Sequence, residues 1–352
     1  MRGLSCPDII VSFLALAVAL YFGIATAFND ESNFALFLWR AFAPTTALCV
    51  GGYFIIRLTI AKLTQKKLSL GQHALCSLML IASVLPIARC WRDFVTPRSS
   101  NPSESYNLTV LDMNLLGHRD ITPMMLPEIK RRLPDIVLLQ EVTAEIAATI
   151  YDNLKAMYPC QIFDPRPGSY GMATLAKHPC QHLDFVSQGY WVGRPQIIQV
   201  TLPDGRSILG VNIHGVHPHA LIDSKGDEGL GGKLNNTVFA REQSISEVLS
   251  YVRSFSNTPV VMAGDLNATM RNRVYSLIRD AGYEDSWLTT QTLADMIFRG
   301  GTWPFPEHGI PRFAAWILRI DFIFSQRLVP LSTEVLPASL GSDHRGLVAR
   351  FR

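Results

Sequence analysis

The chain has 352 residues, of which 48% are hydrophobic and only 17% charged. Its mean hydropathy is positive, which is unusual for a wholly soluble enzyme. Residues 1–104 hold nine Lys or Arg against five acids. The remainder holds 23 basic and 24 acidic residues, so it lacks the positive surplus that grips a polyanion, which counts against a dedicated DNA binder.

The apolar excess is concentrated in three runs near the N-terminus. Residues 9–28 carry no charge, 39–60 carry Arg40 and Arg57 near the ends, and 68–88 start with Gln72 and His73. Each run is close to the roughly 20 residues a helix needs to cross a bilayer. The sequence therefore predicts a transmembrane region over 1–91 and, over 92–105, a linker rich in Ser and Asn with Pro97 and Pro102. The connection 29–33 contains Asp30 and Glu31, whereas 61–67 contains Lys62, Lys66 and Lys67. The positive-inside rule places the second connection in the cytoplasm and the C-terminal domain outside. In a bacterium this is a multi-pass protein of the cell inner membrane with a periplasmic domain. A cleaved signal peptide ending at Ala25-Thr26-Ala27 is the competing reading, and the two further apolar runs favour an uncleaved anchor.

Beyond the linker, 107–116 reads as a strand ending at Gly117, and 122–133 has helical spacing and stops at Pro134. Residues 135–140 read as a buried strand, 144–157 as a helix, and 172–176 and 196–202 as strands. A strand over 207–213 ends at His214. An amphipathic helix is predicted over 239–255, a buried strand over 259–263, a helix over 271–281, and strands over 320–324 and 346–351. Segment 221–237, with Gly226, Gly229, Gly231 and Gly232, reads as a loop outside the core, either a mobile rim or plain surface. Strands alternating irregularly with helices predict a layered α/β domain with mixed sheets. Of the six cysteines none forms a short-spaced zinc pair. Cys160 and Cys180 can bond if the domain faces an oxidising compartment, and spacing alone leaves that open.

Asn114, Glu141, His214, Asp265, Asn267, Asp343 and His344 all fall at or just past the end of an apolar strand. A single such residue is usually a cap or turn former. Seven together, all carboxylate, amide or imidazole, point to one site held by a sheet scaffold. In order, Leu111-Asp112-Met113-Asn114, Pro134 through Gln140-Glu141, Asn212-Ile213-His214, Gly264-Asp265-Leu266-Asn267, Arg319-Ile320-Asp321 and Gly341-Ser342-Asp343-His344 resemble the motifs of the endonuclease/exonuclease/phosphatase superfamily. The resemblance covers 106–352. It implies a four-layer α/β sandwich, two mixed β-sheets flanked by helices, preceded here by the N-terminal three-helix transmembrane segment. One departure is the pair Asn212-Ile213 before His214, where Asn-Thr or Gly-Thr is commoner.

The resemblance also implies roles. Glu141, with Asn114 and Asp343, would hold Mg²⁺ or Mn²⁺, since hard carboxylate and amide oxygens suit those ions and not zinc. Asp265 would orient or deprotonate the attacking water, and Asn267 would hydrogen-bond the phosphate. His344, partnered by Asp321, would act as general base or phosphate-binding imidazole. His214 would protonate the leaving oxygen, although His217 and His219 compete for that place. Apart from the resemblance, Arg241 and Gln243, at the start of the next helix, are candidates to face the site, and Trp303 either walls the cleft or packs in the core. The implied activity is metal-assisted in-line hydrolysis of a phosphodiester or phosphomonoester. The substrate class stays open among a lipid headgroup, a small phosphoester and nucleic acid, the last making the chain a nuclease. A non-catalytic receptor or scaffold would require loss of metal or base residues, and none is missing.

Overall fold

A computed structural model describes residues 108–217, 230–255, 257–292, 300–304, 318–336 and 340–352, with scattered positions between 35 and 77. The chain divides into two compact units, Met1–Pro97 with Arg271–Arg273, and Arg98–Met270 with Val274–Arg352. In the first unit the three expected spans fall almost wholly outside the described residues. No helix among the described residues is long and apolar enough to cross a membrane.

In the second unit, β1 (Leu108–Asn114) pairs in parallel with β2 (Ile136–Gln140) and antiparallel with β12 (Leu347–Phe351). β2 pairs with β4 (Met172–Ala176), β4 with β3 (Cys160–Asp164), and β12 with β11 (Pro330–Val335). This gives a mixed sheet of order β11-β12-β1-β2-β4-β3. The second mixed sheet runs β5 (Cys180–Leu183), β6 (Gly193–Thr201), β7 (Ser207–His214), β8 (Val260–Asp265), β10 (Asp321–Gln326), β9 (Glu284–Asp285).

The central strands are buried on both faces, as expected for sheets covered on both sides. Outside the first sheet lie α1 (Thr122–Arg132) and α2 (Ala144–Leu154). Their Met125, Ile129, Ile146, Ile150 and Leu154 pack with Leu111, Met113, Val137, Leu139 and Leu175 of the strands. Each such fully buried aliphatic contributes about 1.5–3 kcal/mol. α1 ends where Leu133 takes a left-handed conformation ahead of Pro134, and α2 begins on a Thr143 cap. α3 (Leu230–Arg253) buries Ile245, Val248 and Val252 at helical spacing. α4 (Arg273–Asp280) packs Tyr275 against Phe322 and Phe324 of β10. A short helix, α5 (Ser286–Thr290), is capped by Asp285, which also forms a fully buried ion pair with Arg319 at 2.6 Å.

The loop expected over 221–237 is corrected in its second part. Residues 230–237 are the first turns of α3, and Thr237 is buried. Gly231 and Gly232 fall in its opening turn, where the burial of the helix's later stripe outweighs their weak propensity. The helix expected to reach 157 ends at Leu154.

Two features tie the sheets together. Cys160 on β3 and Cys180 on β5 form a disulfide with Cα atoms 5.8 Å apart, joining an edge strand of each sheet. Between the sheets runs a buried polar seam. The Gln140 amide donates to Asp112 and to Asn212, both at 2.8 Å. The Asn212 amide donates to the carbonyls of Leu139 and Ala173 and to Thr174, whose hydroxyl donates to Gln196 at 2.7 Å.

Candidate active site

Strand register assembles the polar residues. In the parallel β7–β8 pair His214 lies opposite Asp265, and in the antiparallel β10–β8 pair Asp321 lies opposite the same Asp265. Asn114 ends β1 opposite Gln140, one residue before Glu141. The strands must approach closely here. A Cβ on Gly264, whose φ is +144°, would meet the Ile213 carbonyl oxygen at 1.8 Å, so only glycine fits. Glu141 and Asn267 take positive φ values of 60° and 49°, sparsely used by non-glycine residues. Each conformation ends a strand and turns the side chain into the cleft.

The groups touch in a chain. The Asn114 amide donates to Glu141 at 3.0 Å and to Asp265 at 3.3 Å. The other Glu141 oxygen accepts from the Gly117 N–H at 3.0 Å. Asp265 accepts from the Asn267 backbone N–H at 2.7 Å and from its amide at 3.3 Å. His214 Nε2 lies 3.6 Å and His344 Nε2 3.8 Å from Asp265 Oδ2. His344 Nδ1 lies 3.0 Å from Asp321 Oδ2, and His344 is further anchored through Ser342, which accepts its backbone N–H and donates to the Asn114 carbonyl. Asp343 accepts from the Trp303 indole at 3.2 Å, while its Oδ1 is buried without a hydrogen-bond donor. All eight sequence-predicted residues thus converge. Of the neighbours, Trp303 belongs to the site. Arg241 is buried against the Val216 carbonyl, and Gln243 reaches Glu247 on its own helix.

Burial shapes the protonation states. Burial, then Asp321, push the Asp265 carboxyl up to about 7 against the pull of His344. Burial and the neighbouring His344 and His217 push His214 down to about 3. For His344, burial opposes the charged ring, but Asp321 and Asp265 outweigh it and raise its pKa well above the usual range. His214 is therefore neutral at pH 7 and His344 charged.

Three residues escaped the sequence reading. Asp112 is buried two positions before Asn114 on the same strand face, and burial followed by Asp321 raises its pKa. Strand alternation carried that signal. Thr302 accepts the backbone N–H groups of Ile320 and Asp321, fixing the start of β10. Arg194 is exposed beside the Gly193/Gln196 irregularity across from His214 and has no ionic partner among the described residues. A lone arginine inside an apolar strand was its signal.

This arrangement, acids and imidazoles at strand ends between two stacked sheets, defines a hydrolase of the two-sheet sandwich class. The profile of the Endonuclease/Exonuclease/phosphatase family matches residues 124–344, and the chain belongs to that family. Its members hydrolyse phosphoester bonds, and so does this enzyme. Among solved structures, an endonuclease/exonuclease/phosphatase from Beutenbergia cavernae aligns at TM-score 0.52 and 19% identity, covering 70% of this chain and 72% of that one. Humanized D. rerio TDP2 aligns at TM-score 0.52 and 17% identity over 70% of this chain and 100% of that one. The beta toxin of Staphylococcus aureus aligns at 0.51 and 15% over 69% and 99%. No protein with a curated description matches the sequence.

Enzymes of this family typically use divalent metal ions. Asp265, Asp321 and His344 offer ligand atoms within 4.8 Å of one another and could hold an ion. Of the expected set, Glu141 and Asp343 offer carboxylate oxygens, whereas the Asn114 amide oxygen accepts the Leu116 N–H at 3.0 Å and its NH2 faces Glu141 and Asp265, so Asn114 positions the carboxylates and does not itself present a free oxygen. Asp343 Oδ1 is a buried acceptor lacking a donor, and the Glu141 and Asp265 carboxylates converge on one amide.

Proposed function

We propose that this chain is a membrane-anchored phosphoesterase that cleaves a phosphodiester or phosphomonoester by in-line attack of water, with its catalytic domain on the extracytoplasmic side. The observation that carries the reading is the unbroken chain of contacts from Glu141 through Asn114 and Asp265 to His344 and Asp321. A divalent cation, Mg²⁺ or Mn²⁺, held by the Glu141 and Asp343 carboxylates, with the Asn114 amide aligning Glu141, would offset the charge on the phosphoryl oxygens. The Asp265–Asp321–His344 group suits proton handling, because His344 Nδ1 is held by Asp321 at 3.0 Å and its Nε2 lies 3.8 Å from Asp265.

Asp265, positioned by the Asn267 N–H, takes the proton of the attacking water, a task suited to a carboxylate lifted toward neutrality. Asn267 and the His344 imidazolium donate hydrogen bonds to phosphoryl oxygens, and Asp321 keeps that ring charged and oriented. His214, being neutral, donates an N–H to the leaving oxygen without surrendering a proton, which the departing group takes from solvent.

Membrane anchoring through 1–91, a linker over 92–105 and a catalytic domain over 106–352 complete the reading. The Cys160–Cys180 bond supports the orientation, since structural disulfides persist on the oxidising side of a membrane. The near-neutral domain suits a small phosphoester or lipid headgroup better than a long polyanion.

The test is hydrolysis by the full chain in detergent of phospholipid, inositol phosphate, and single- and double-stranded DNA, with Mg²⁺ or a chelator. Turnover of at least one substrate should require the ion and disappear in Glu141→Ala and His344→Ala. Activity that survives both substitutions overturns the assigned site.

A further inference from the structure

One rim of the cleft carries two exposed aromatic rings on rigid supports. Tyr170 is 44% exposed and Tyr190 37%. Large rings left in water on a tightly fastened backbone are the informative kind of exposure, because the usual explanation of a loose surface segment does not apply.

Both supports are fastened. Tyr170 ends the 3₁₀ turn Gly168–Tyr170, which is clamped to the strand end bearing Glu141. Val142 donates its N–H to the Gly171 carbonyl, and Arg166 donates to the Val142 carbonyl. Tyr190 sits in the segment before β6, clamped to α3. Ser244 donates to the Tyr190 carbonyl at 2.7 Å, and Glu247 accepts from Ser187 and from the Gln188 and Gly189 N–H groups. Trp191, next in sequence, is buried and donates to Ser187.

The two rings meet at the site. The Gly168–Tyr170 turn packs against β6, and Tyr170 lies close enough to Tyr190 to join burial in raising the Tyr190 pKa. Ser169, beside Tyr170, places its backbone next to the His214 ring. Three residues after Tyr190, Gly193 pairs with His214, and a Cβ there would lie 3.2 Å from the His214 Cβ and 2.3 Å from Met172 Sδ. The pair therefore stands over the His214 side of the cleft, at the end of the site away from Asp321.

Resting on the phosphoesterase reading above, we propose that Tyr170 and Tyr190 form a stacking subsite for a planar ring carried by the phosphoester, such as an aryl group or a nucleobase. The chemistry around the pair favours a ring over an acyl chain. Its sequence neighbours are Ser169, Ser187, Gln188 and Gly189, with Ser244 beneath. A chain of methylenes needs a continuous aliphatic channel, whereas a ring needs one or two flat faces and tolerates polar edges. Stacking on an aromatic side chain contributes about 1–3 kcal/mol per ring, roughly a five- to 150-fold gain in affinity.

The test is calorimetric and needs no turnover. Phenylphosphonate, methylphosphonate and octylphosphonate are titrated into the Mg²⁺-loaded full chain in detergent. Phenylphosphonate should bind at least tenfold tighter than methylphosphonate. In Tyr170→Leu/Tyr190→Leu, which keeps bulk, the two should differ by less than threefold, and Tyr170→Phe/Tyr190→Phe should restore the preference. Equal binding of phenyl and methyl by the unmodified chain, or a preference intact in the Leu double variant, overturns the subsite. A larger gain for octyl than for phenyl overturns the ring in favour of a lipid. Failure of the phosphoesterase reading shows separately, as absence of metal-dependent hydrolysis with the ring preference intact.

Discussion

Asp265 stands where two strand registers cross. His214 flanks it on β7 and Asp321 on β10, and Asn114 reaches it from the other sheet. Being buried beside a second acid, its carboxyl is pushed up to about 7 in the metal-free protein. A proton and a cation then compete for the same cluster of negative charge. Mg²⁺ uptake should release about one proton at pH 6 and markedly less at pH 8, when Asp265 is already ionised. Titrations in buffers of different ionisation enthalpy measure this. Asp265→Asn should abolish the difference and lower kcat about 10²- to 10⁴-fold with little change in KM. Proton release that stays the same in the variant would assign the titration to another group.

The elements around the site were legible where chemistry and periodicity coincided. The strands ending in Asn114, His214 and Asp265, and the one ending just before Glu141, were visible as apolar runs stopped by polar residues. What escaped was the half-exposed periphery. β3 and β5, with the segments Cys160-Gln161-Ile162-Phe163-Asp164 and Cys180-Gln181-His182-Leu183, are edge strands whose mixed polarity resembles a loop. Their cysteines could be counted but not paired, because the approach of two sheet edges is a tertiary fact. A link closing a loop of this length is worth about 3 kcal/mol. Cys160→Ser should lower stability by that order in chemical unfolding, and a reductant should do the same to the unmodified chain but not to the variant. α5 was hidden for another reason. It is five residues long and depends on Asp285, which caps it, accepts from Tyr275 and pairs with Arg319. Burial raises the Asp285 pKa, but Arg319 overrides this and holds it below the usual value of 3.8. Its stabilisation is present above that value and lost as pH falls below it. Arg319→Ala leaves a buried charge and should cost about 3–5 kcal/mol, read as a lower denaturation midpoint at pH 7, with the gap to the unmodified chain shrinking in acid.

At the scale of the whole molecule, both the two-sheet class and the converging site could be expected from ordered motifs, because this fold builds its cleft from strand ends far apart in sequence. The substrate could not, because the ordered motifs mark the reacting groups and leave the cleft rim, where Tyr170 and Tyr190 stand, unmarked. The proposed orientation across the membrane follows from Lys62, Lys66 and Lys67 against Asp30 and Glu31. A reporter fused after Arg352 that works only outside the cytoplasm should be active, and one that works only inside should be silent. The reverse pattern would reject the proposed orientation.

The row of amides and hydroxyls through the buried interior has a mechanical consequence. Asn114, Glu141 and His344 ride on one half of the sandwich, and His214, Asp265 and Asp321 on the other. Two greasy slabs alone could slide past each other at little cost. Gln140 gripping Asn212, and Thr174 gripping Gln196, act as dowel pins, since a shift of one notch would strand several of these groups without partners. The reaction centre is thereby kept in alignment by residues that never meet the substrate.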